Sequence, residues 1–350
     1  MQKKYKVFKK VKESKLVSSL YLRLEDESKL ENFKPGQHLL FKIKPEGQDH
    51  VIQRFYSFSE APELDHYRIS VKKELPPKGI LNVPSGKGST FIHNTIQVGD
   101  IIEAKGPMGD FFLKTEESEP VVLIAGGIGL TPLLSIVNTI INTNSKQLVT
   151  LFLGVTNNSD HIFKGYLDTI NKAYNNIQIY TCYTNPLPTD RLGNDFDYEG
   201  FVHINFIKSK LPENFKDFYI CGPSVMMDYI SLELKKIGVS TDTIYTESFG
   251  PASVSYTAIE ENNSQEKTEI IFSDSGVTVA WDNQFKSIVE LAEANNIDIS
   301  VGCLFGDCGT CMTDLTTGEV EYNHPTMIVP DPGSCLPCSC KPKGSITLNI

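Results

Sequence analysis

Three cysteines near the end of the chain stand four and then two residues apart, at Cys303, Cys308 and Cys311. Cysteines at short, regular spacing bind metals, form disulfides or take part in redox chemistry. Six of the eight cysteines lie between Cys303 and Cys340, in a chain of 350 residues. Because disulfide frameworks are typical of small secreted proteins, this clustering favours a metal or cluster site.

The spacing C-x4-C-x2-C with a distant fourth cysteine is that of plant-type [2Fe–2S] sites. Two irons need four thiolates, and three of them must come from one tight loop. Gly302, Gly306 and Gly309 let backbone N–H groups approach the sulfurs of such a loop. Zinc is the alternative, but zinc sites normally use paired C-x2-C units, which fit this spacing poorly.

Three cysteines compete for the fourth ligand position, because Cys335, Cys338 and Cys340 lie close together. The plant-type pattern places its last cysteine in an apolar-x-Cys-x-x-x-Pro stretch. Cys338 fits that pattern with Pro342, so Cys338 is the predicted ligand and Cys340 is the alternative.

The run "RFYSFS" begins at Arg54 and contains the R-x-Y-S pattern that the ferredoxin–NADP reductase superfamily uses to hold a flavin. Arg54 can pair with a phosphate through its planar guanidinium group, and Tyr56 offers a ring to pack on an isoalloxazine. Ser57 can form a hydrogen bond near flavin N5, and Phe55 belongs to the same predicted site.

Two further stretches resemble the rest of that flavin site. Val71-Lys72 follows the run, and Gly88-Ser89-Thr90 precedes a stretch with helical spacing. Backbone N–H groups at a helix start bind phosphate well. The order of these stretches, ending in "GPMGDFFL", favours FAD, with FMN as the alternative.

The stretch "LIAGGIGLTPLLSI" predicts a strand, a Gly-rich turn and a helix that starts near Pro132. Such a turn places a helix N-terminus against a pyrophosphate. This form resembles the pyridine-nucleotide site of the same superfamily, with Gly127, Gly129, Thr131 and Pro132 as the predicted binding residues.

Two later stretches complete that resemblance. "YICGPSVMMD" supplies Cys221, Gly222, Pro223 and Met226, which the resemblance places around the nicotinamide. "YTESFG" supplies Glu247 and Phe249, which it places near the flavin ring. The predicted catalytic residues are Tyr56, Ser57, Cys221 and Glu247. Thr, Asn and Asp in "GVTNNSD" and "CYTNPLPTDR" favour NADH, and NADPH stays open.

The elements that must position these residues fall into successive segments. Residues 1–114 alternate apolar and polar positions between turns, which predicts an antiparallel β-barrel. Residues 115–250 alternate apolar strands with helical patterns, which predicts a doubly wound parallel sheet. Residues 251–267 are polar and predict a linker, and 268–350 form a third domain.

Charge and hydropathy exclude some classes of binding partner. The net charge is -10, and residues 268–350 hold eleven acids against three bases. This balance argues against nucleic acid and anionic membranes. No apolar run reaches the length of a membrane span, so we expect no membrane insertion and a cytoplasmic protein.

In its full order the chain resembles three-domain reductases of bacterial oxygenases, which end in an α+β, β-grasp, plant-type ferredoxin domain. The resemblance implies that NAD(P)H gives hydride to the flavin, and that single electrons leave through the cluster to an oxygenase or hydroxylase component. Two alternatives are a stand-alone flavin reductase or diaphorase with an auxiliary cluster, and a non-enzymatic metal-binding protein.

Overall fold

The structure is a computed structural model that describes most of the chain. The described residues are 2–45, 51–62, 65–76, 85–114, 119–211, 217–249, 268–283, 285, 287–301, 306, 309–323, 326 and 328–350. The predicted linker at 251–267 and the cysteines Cys303 and Cys308 lie outside them. The fold divides into two compact units, one of residues 1–41 and 54–247 and the other of residues 42–53 and 248–350.

The first segment is an antiparallel sheet whose strands run in the order β4-β3-β6-β1-β2-β5. An antiparallel bridge between Phe58 and Ile69 joins the chain just after β4 to β5, so the sheet closes into the predicted barrel. Leu20, Leu39, Phe41 and Ile69 are among its fully buried apolar side chains. The elements are β1 (Gln2–Lys12), β2 (Val17–Leu24), β3 (His38–Ile43), β4 (Ile52–Ser57), β5 (Tyr67–Lys72), α1 (Lys87–Asn94) and β6 (Ile101–Met108).

The second segment is a sheet with strand order β10-β9-β8-β7-β11-β12 whose paired strands are parallel, as predicted. Its strands and helices are β7 (Val121–Gly126), α2 (Leu130–Asn142), β8 (Val149–Val155), α3 (Lys164–Ala173), β9 (Ile177–Tyr183), β10 (Tyr198–Glu199), α4 (Ile204–Lys210), β11 (Asp217–Cys221), α5 (Ser224–Lys236) and β12 (Ile244–Glu247). Short 3-10 turns cover Gly127–Gly129, Asn158–Asp160 and Thr241–Thr243.

The strands of this sheet are almost continuously apolar, because helices cover them. All six residues of β7 are buried. One core cluster joins Val122 and Phe152 of the sheet to Phe206 of α4 and Ile230 of α5. The sheet therefore presents the carboxyl ends of β7, β8 and β11 side by side, where doubly wound folds bind their ligands.

The third segment has a five-stranded mixed sheet in the order β14-β13-β19-β15-β17 and a small ladder of β16 with β18. Helix α6 is bonded to the chain before β18, since Val289 N donates to the Pro337 carbonyl at 3.1 Å. The elements are β13 (Glu269–Phe272), β14 (Val277–Ala280), α6 (Ile288–Ala294), β15 (Thr313–Thr317), β16 (Val320–Tyr322), β17 (Ser334–Cys335), β18 (Cys340–Pro342) and β19 (Ile346–Leu348).

In the described part of the chain, no helix combines the length and the apolar character that crossing a membrane requires.

Candidate functional site

Strand β4 carries the predicted flavin residues Arg54, Phe55, Tyr56 and Ser57 in its last four positions. Ser57 is buried, and the other three are half-buried. The Tyr56 ring packs edge-on against Phe41 at 5.3 Å between centroids. Burial raises the pKa of the Tyr56 phenol, and nearby Arg54 lowers it by a smaller amount, so the phenol stays neutral.

Helix α1 contains Gly88, Ser89 and Thr90 in its first turn, whereas the sequence pattern placed them just before the helix. Its N-cap residue is Gly86, which has no side chain that could occupy the first-turn N–H groups. The N–H groups of a first turn have no partner within the helix, so they can bind a phosphate oxygen.

Two residues that the sequence analysis did not consider hold α1 against the barrel. Lys10 of β1 donates from Nζ to the carbonyls of Ile92, His93 and Ile96 at 3.0, 2.9 and 2.7 Å. His93 Nε2 lies 2.8 Å from the Val71 carbonyl. Burial lowers the pKa of His93, so the neutral ring donates this hydrogen bond. No local pattern identifies these contacts, because they join residues far apart in the sequence.

The hydroxyl groups of the predicted flavin site divide into two kinds. Ser89 Oγ is used within the protein, since it accepts from Glu74 N at 3.0 Å and donates to the Gly86 carbonyl at 3.1 Å. Ser57 Oγ and Thr90 Oγ1 are buried, and neither has a hydrogen-bond partner among the described residues. Buried polar groups are rarely left unpaired, so these two hydroxyls fit a polar ligand such as a flavin and its phosphate.

Val71 and Lys72 end β5, the barrel strand next to α1. Val71 is buried, and its carbonyl accepts the hydrogen bond from His93 Nε2. Lys72 is half-buried and its Nζ lies 4.0 Å from Glu74 Oε1 in a loose ion pair. The end of β5 therefore lies next to α1.

The Gly-rich turn after β7 leads directly into α2. Gly127 has φ +54°, which favours glycine, and a Cβ there would meet nothing within 4 Å. Thr131 is buried and donates from Oγ1 to the Ile128 carbonyl at 3.1 Å, and Pro132 follows it in the first turn of α2. The 3-10 turn Gly127–Gly129 runs directly into α2, and the Leu130 N–H donates to the carbonyls of Gly127 and Ile128. The end of this combined helix that suits a phosphate is therefore the Gly-rich turn itself.

The turn after β7 and the turn after β11 are in direct contact. A Cβ at Gly129 would lie 2.1 Å from the carbonyl oxygen of Cys221, and a Cβ at Gly222 would lie 2.9 Å from the Cα of Gly126. A Cβ at Gly126 would lie 2.6 Å from Pro223 and 2.9 Å from the sulfur of Met226. The structure thus brings together the predicted nucleotide residues of both turns.

Cys221 and Glu247 lie beside each other at the ends of β11 and β12, where their Cα atoms are paired in register. Cys221 is fully buried. Burial, and then the Glu247 charge, raise the pKa of the Cys221 thiol, so the thiol stays protonated. This side chain can pack against a ring but is not a thiolate nucleophile.

Glu247 has a partner that the sequence analysis missed. His38 Nδ1, at the start of β3, lies 3.3 Å from Glu247 Oε1. The only sequence signal for His38 is its place directly after the "KPGQ" turn. Phe249 lies two residues beyond β12 and belongs with the second unit, where it is half-buried.

The four described cysteines of the third segment form two neighbouring pairs. Cys311 Sγ and Cys338 Sγ are 3.0 Å apart, and both side chains are buried. Cys340 forms a hydrogen bond with Cys335 instead, and this bond, followed by burial, raises the pKa of Cys340. Cys338 therefore faces the predicted ligand Cys311, whereas Cys340 faces another thiol.

The described part of the cluster loop has the expected backbone. Gly306 and Gly309 have φ of +78° and +68°. A Cβ at Gly306 would lie 2.4 Å from the Thr326 side chain, so only glycine fits there. Among the residues with described coordinates, no group of three or more His, Cys, Asp or Glu could hold a metal ion. Two of the four predicted ligands, Cys303 and Cys308, lie outside those residues, as does Gly302.

Three protein families match the chain in succession. They are the oxidoreductase FAD-binding domain at residues 4–113, the oxidoreductase NAD-binding domain at 123–231 and the 2Fe-2S iron-sulfur cluster binding domain at 270–343. The predicted barrel, doubly wound sheet and ferredoxin-type domain are thereby confirmed.

Similar proteins share parts of this organisation. The flavohemoprotein of Bacillus anthracis is 40% identical over 246 residues, which are 70% of this chain and 60% of that protein. The chain thus spans about 60% of the length of the curated relatives that it matches. The FAD/NAD-binding domain of nitric oxide dioxygenase from Vibrio cholerae is 30% identical, with a TM-score of 0.62, over 71% of this chain and 99% of that one.

Phthalate dioxygenase reductase shares the fold of the whole chain. Its TM-score is 0.70 at 22% identity, over 99% of this chain and 97% of that one. The fold and the three domains define an oxidoreductase with sites for FAD, a pyridine nucleotide and a [2Fe–2S] cluster. The chain belongs to the ferredoxin–NADP reductase superfamily, as a three-domain member with a C-terminal [2Fe–2S] domain.

Proposed function

We propose that this enzyme takes hydride from NADH onto FAD and passes single electrons through its [2Fe–2S] cluster to a partner oxygenase or hydroxylase component. When bound, the cofactors would supply the redox chemistry: one NADH gives up a hydride, and its two electrons leave one at a time. Everything else depends on how the residues of this chain bind and orient these groups.

The flavin site in this proposal is formed by β4, the end of β5 and the start of α1. Arg54 pairs with phosphate, and Tyr56 packs on the ring system. The buried hydroxyls of Ser57 and Thr90 form hydrogen bonds with the flavin or its phosphate. The uncapped start of α1 supports a second phosphate contact, which favours FAD over FMN.

The nucleotide site is formed by the two turns in contact, after β7 and after β11. The start of α2 receives the pyrophosphate, and Cys221, Gly222, Pro223 and Met226 enclose the nicotinamide. Because the Cys221 thiol stays protonated, its role is to pack against the ring and keep water out. Glu247 lies beside Cys221 at the end of β12. The assignment of Glu247 and Phe249 to the surroundings of the flavin ring rests on the sequence resemblance alone.

The preference for NADH is supported by the charges at the carboxyl ends of β8 and β9. Lys164 lies nearby, but its Nζ is 2.9 Å from Asp168 and 3.7 Å from Asp195. A 2′-phosphate normally needs a cation beside the ribose. Two carboxylates already engage Lys164, so binding of a 2′-phosphate is disfavoured here. A ribose 2′-hydroxyl has no such requirement.

The cluster ligands in the proposal are Cys303, Cys308, Cys311 and Cys338. The distance of 3.0 Å between the sulfurs of Cys311 and Cys338 is the observation that carries the electron-transfer function, because it supports a cluster held at the third domain. The flavin, when bound, would supply the change from an electron pair to single electrons, and a cluster held by these cysteines would carry one electron at a time, as many oxygenase metal centres require.

The acceptor is proposed from charge and from similarity. Residues 268–350 have a net charge of -8, which suits docking on a basic surface. A structural relative with the fold of the whole chain, phthalate dioxygenase reductase, is described as transferring electrons from pyridine nucleotides to [2Fe–2S]. We infer that residues 251–267 act as a linker between the nucleotide domain and the ferredoxin domain.

The experiment is an anaerobic NADH titration of the wild type and of Cys308→Ser, followed by absorbance and EPR. In the wild type we expect flavin bleaching and the EPR signal of a reduced [2Fe–2S] cluster. Cys308→Ser should lose cytochrome c reduction and keep ferricyanide reduction by the flavin. Full cytochrome c reduction by this variant would indicate a stand-alone flavin reductase, and a colourless protein would rule out both functions.

A further inference from the structure

A histidine of the barrel and a glutamate of the nucleotide domain form a buried pair within the first unit. His38 Nδ1 lies 3.3 Å from Glu247 Oε1, and the two side chains are only 10% and 12% exposed. Within the part of the chain that the structure describes, His38 Nδ1 has no well-aligned hydrogen-bond partner. The contact is therefore a close approach of two enclosed side chains, and changing one member of an enclosed pair disturbs its surroundings more than changing a surface pair does.

On the barrel side, the His38 ring is held in place next to the flavin strand. It packs on Phe55 of β4 with 4.8 Å between ring centroids. Gly109 lies on its other side with φ +106°, and a Cβ there would come within 2.7 Å of the His38 ring. The glycine leaves room for the imidazole, so the ring has little freedom to move away from β4.

On the nucleotide side, Glu247 is linked to both turns of the proposed nucleotide site. It is the register partner of Cys221, whose carbonyl oxygen would lie 2.1 Å from a Cβ at Gly129. A displacement of Glu247 would therefore move Cys221 and, through backbone contact, the turn that leads into α2. His38 and Glu247 form a short path between the flavin strand and the nucleotide turns.

We propose that His38 and Glu247 are positioning residues for hydride transfer. Their pair holds the end of β12, and with it Cys221 and the nucleotide turns, at a fixed distance from β4. This inference rests on the proposed flavin and nucleotide sites. Hydride transfer depends steeply on the approach of donor and acceptor, and a misplacement of about 1 Å can cost about 100-fold in rate.

A second contact between the same two domains provides a matched control. Glu60, after β4, accepts from Asn138 Nδ2 of α2 at 2.7 Å and lies 3.2 Å from Arg68. Ser135 of α2 donates to the Glu60 carbonyl at 2.7 Å. Glu60→Gln removes charge from this contact and leaves β12 and Cys221 untouched.

The experiment compares His38→Asn, Glu247→Gln, their double variant and Glu60→Gln, each first checked for flavin content and melting temperature. Stopped-flow absorbance gives the rate of flavin reduction by NADH. Titration of the oxidised enzyme with tetrahydro-NADH, which cannot react, gives the dissociation constant and the long-wavelength charge-transfer band of stacked rings.

We expect each single variant to reduce its flavin about 10- to 100-fold more slowly, with a weaker charge-transfer band and a dissociation constant within about twofold of the wild type. The double variant should be no slower than the slower single variant, because the two residues act as one pair. The reversed pair, His38→Glu with Glu247→His, should recover part of the rate and of the band.

Three results would overturn the inference: unchanged flavin reduction in both single variants, a loss of affinity with no loss of rate, or an equal effect of Glu60→Gln. The last result would indicate general loosening between the domains. A wild-type enzyme that NADH does not reduce at all would instead refute the proposed function itself.

Discussion

At the scale of single residues, the buried hydroxyls of Ser57 and Thr90 give a test of flavin binding. Removing one should have opposite effects on the stability of the apoprotein and on the affinity for FAD. An unsatisfied buried hydroxyl destabilises the protein without flavin, and it becomes satisfied only when the ligand is bound. We expect Ser57→Ala to leave the melting temperature of the apoprotein unchanged or higher. The same variant should weaken FAD binding about tenfold, measured by fluorescence titration.

Ser89→Ala is the matched control, because Ser89 Oγ is already bonded to Glu74 N and to the Gly86 carbonyl. It should lower the melting temperature with and without flavin. If Ser57→Ala lowered the stability of the apoprotein in the same way, the hydroxyl would have a structural partner and the proposed flavin contact would be wrong.

The two cysteine pairs separate the candidates for the fourth cluster ligand. Cys338→Ser should lose most of the cluster, because Cys338 Sγ lies 3.0 Å from Cys311 Sγ. Cys340→Ser should retain the cluster, because the Cys340 thiol is hydrogen-bonded to the Cys335 thiol. Iron and sulfide content per chain, with the visible absorbance of the cluster, measure the difference. The opposite result would assign the ligand to Cys340.

Residue types and spacing supplied most members of the proposed sites, and these assignments stay predictions. The motifs at Arg54 and at Gly127 and the choice of Cys338 came from local pattern. His38, Lys10 and His93 were missed, since each acts through a contact with a residue distant in the sequence. A single histidine in an apolar strand carries no pattern that distinguishes a paired side chain from a merely buried one.

At the scale of elements, the alternation of strands and helices was predictable because hydrophobic periodicity and Gly-Pro punctuation are local signals. The order of the strands within each sheet was not predicted, because strand pairing joins residues that are distant in the sequence. The start of α1 was placed too late. The helix begins at Lys87, so Gly88 and Ser89 are helical in spite of their low helix propensity. Lys10 compensates by binding three carbonyls at the other end of the helix.

The end of β8 gives a prediction about nucleotide choice. Thr156 is exposed directly after β8, whereas the side chain of Asn157 is bonded to Ser159 and Asn185. Thr156→Arg should supply the missing cation and improve kcat/KM for NADPH relative to NADH by about tenfold or more. Initial rates with both nucleotides provide the measurement.

Thr143→Arg adds the same charge at the opposite end of α2 and should leave the ratio unchanged. Equal shifts in both variants would show that overall charge, and not a contact at the ribose, governs the choice. A wild-type enzyme that already prefers NADPH would contradict the proposed preference.

At the scale of the whole molecule, the uneven charge predicts how electrons leave the protein. Attraction between an acidic domain and a basic acceptor weakens as salt shortens the Debye length, which is about 10 Å at 0.1 M. Reduction of cytochrome c, a basic protein, should therefore slow as ionic strength rises. Ferricyanide reduction, which is proposed to occur at the flavin, should not slow in the same way.

Local charge variants make this test more specific. Asp314 and Asp331 are exposed near β15 and β17, where the chain leads to Cys311 and Cys335. Asp314→Asn with Asp331→Asn should slow cytochrome c reduction and flatten its salt dependence. Glu269→Gln with Asp274→Asn removes two charges at β13 and its turn to β14, and should have a smaller effect. Equal effects would mean that net charge alone steers the acceptor.

The order of the three domains was evident from sequence, because each domain carries its own motif and its own hydrophobic period. Contacts between the barrel and the nucleotide sheet were not evident. The pair of His38 with Glu247 and the bond of Asn138 to Glu60 depend on how two finished domains meet, and no residue near either member indicates its partner.

The contact between Gly129 and the Cys221 carbonyl has a practical consequence for engineering. A side chain at position 129 would overlap the backbone after β11, and one at position 222 would overlap Gly126. The turn after β7 can be replaced by that of another reductase only if the turn after β11 is replaced at the same time, and the reverse also holds. A graft intended to change the nucleotide specificity of this enzyme should therefore transplant residues 126–132 and 221–226 as a single cassette.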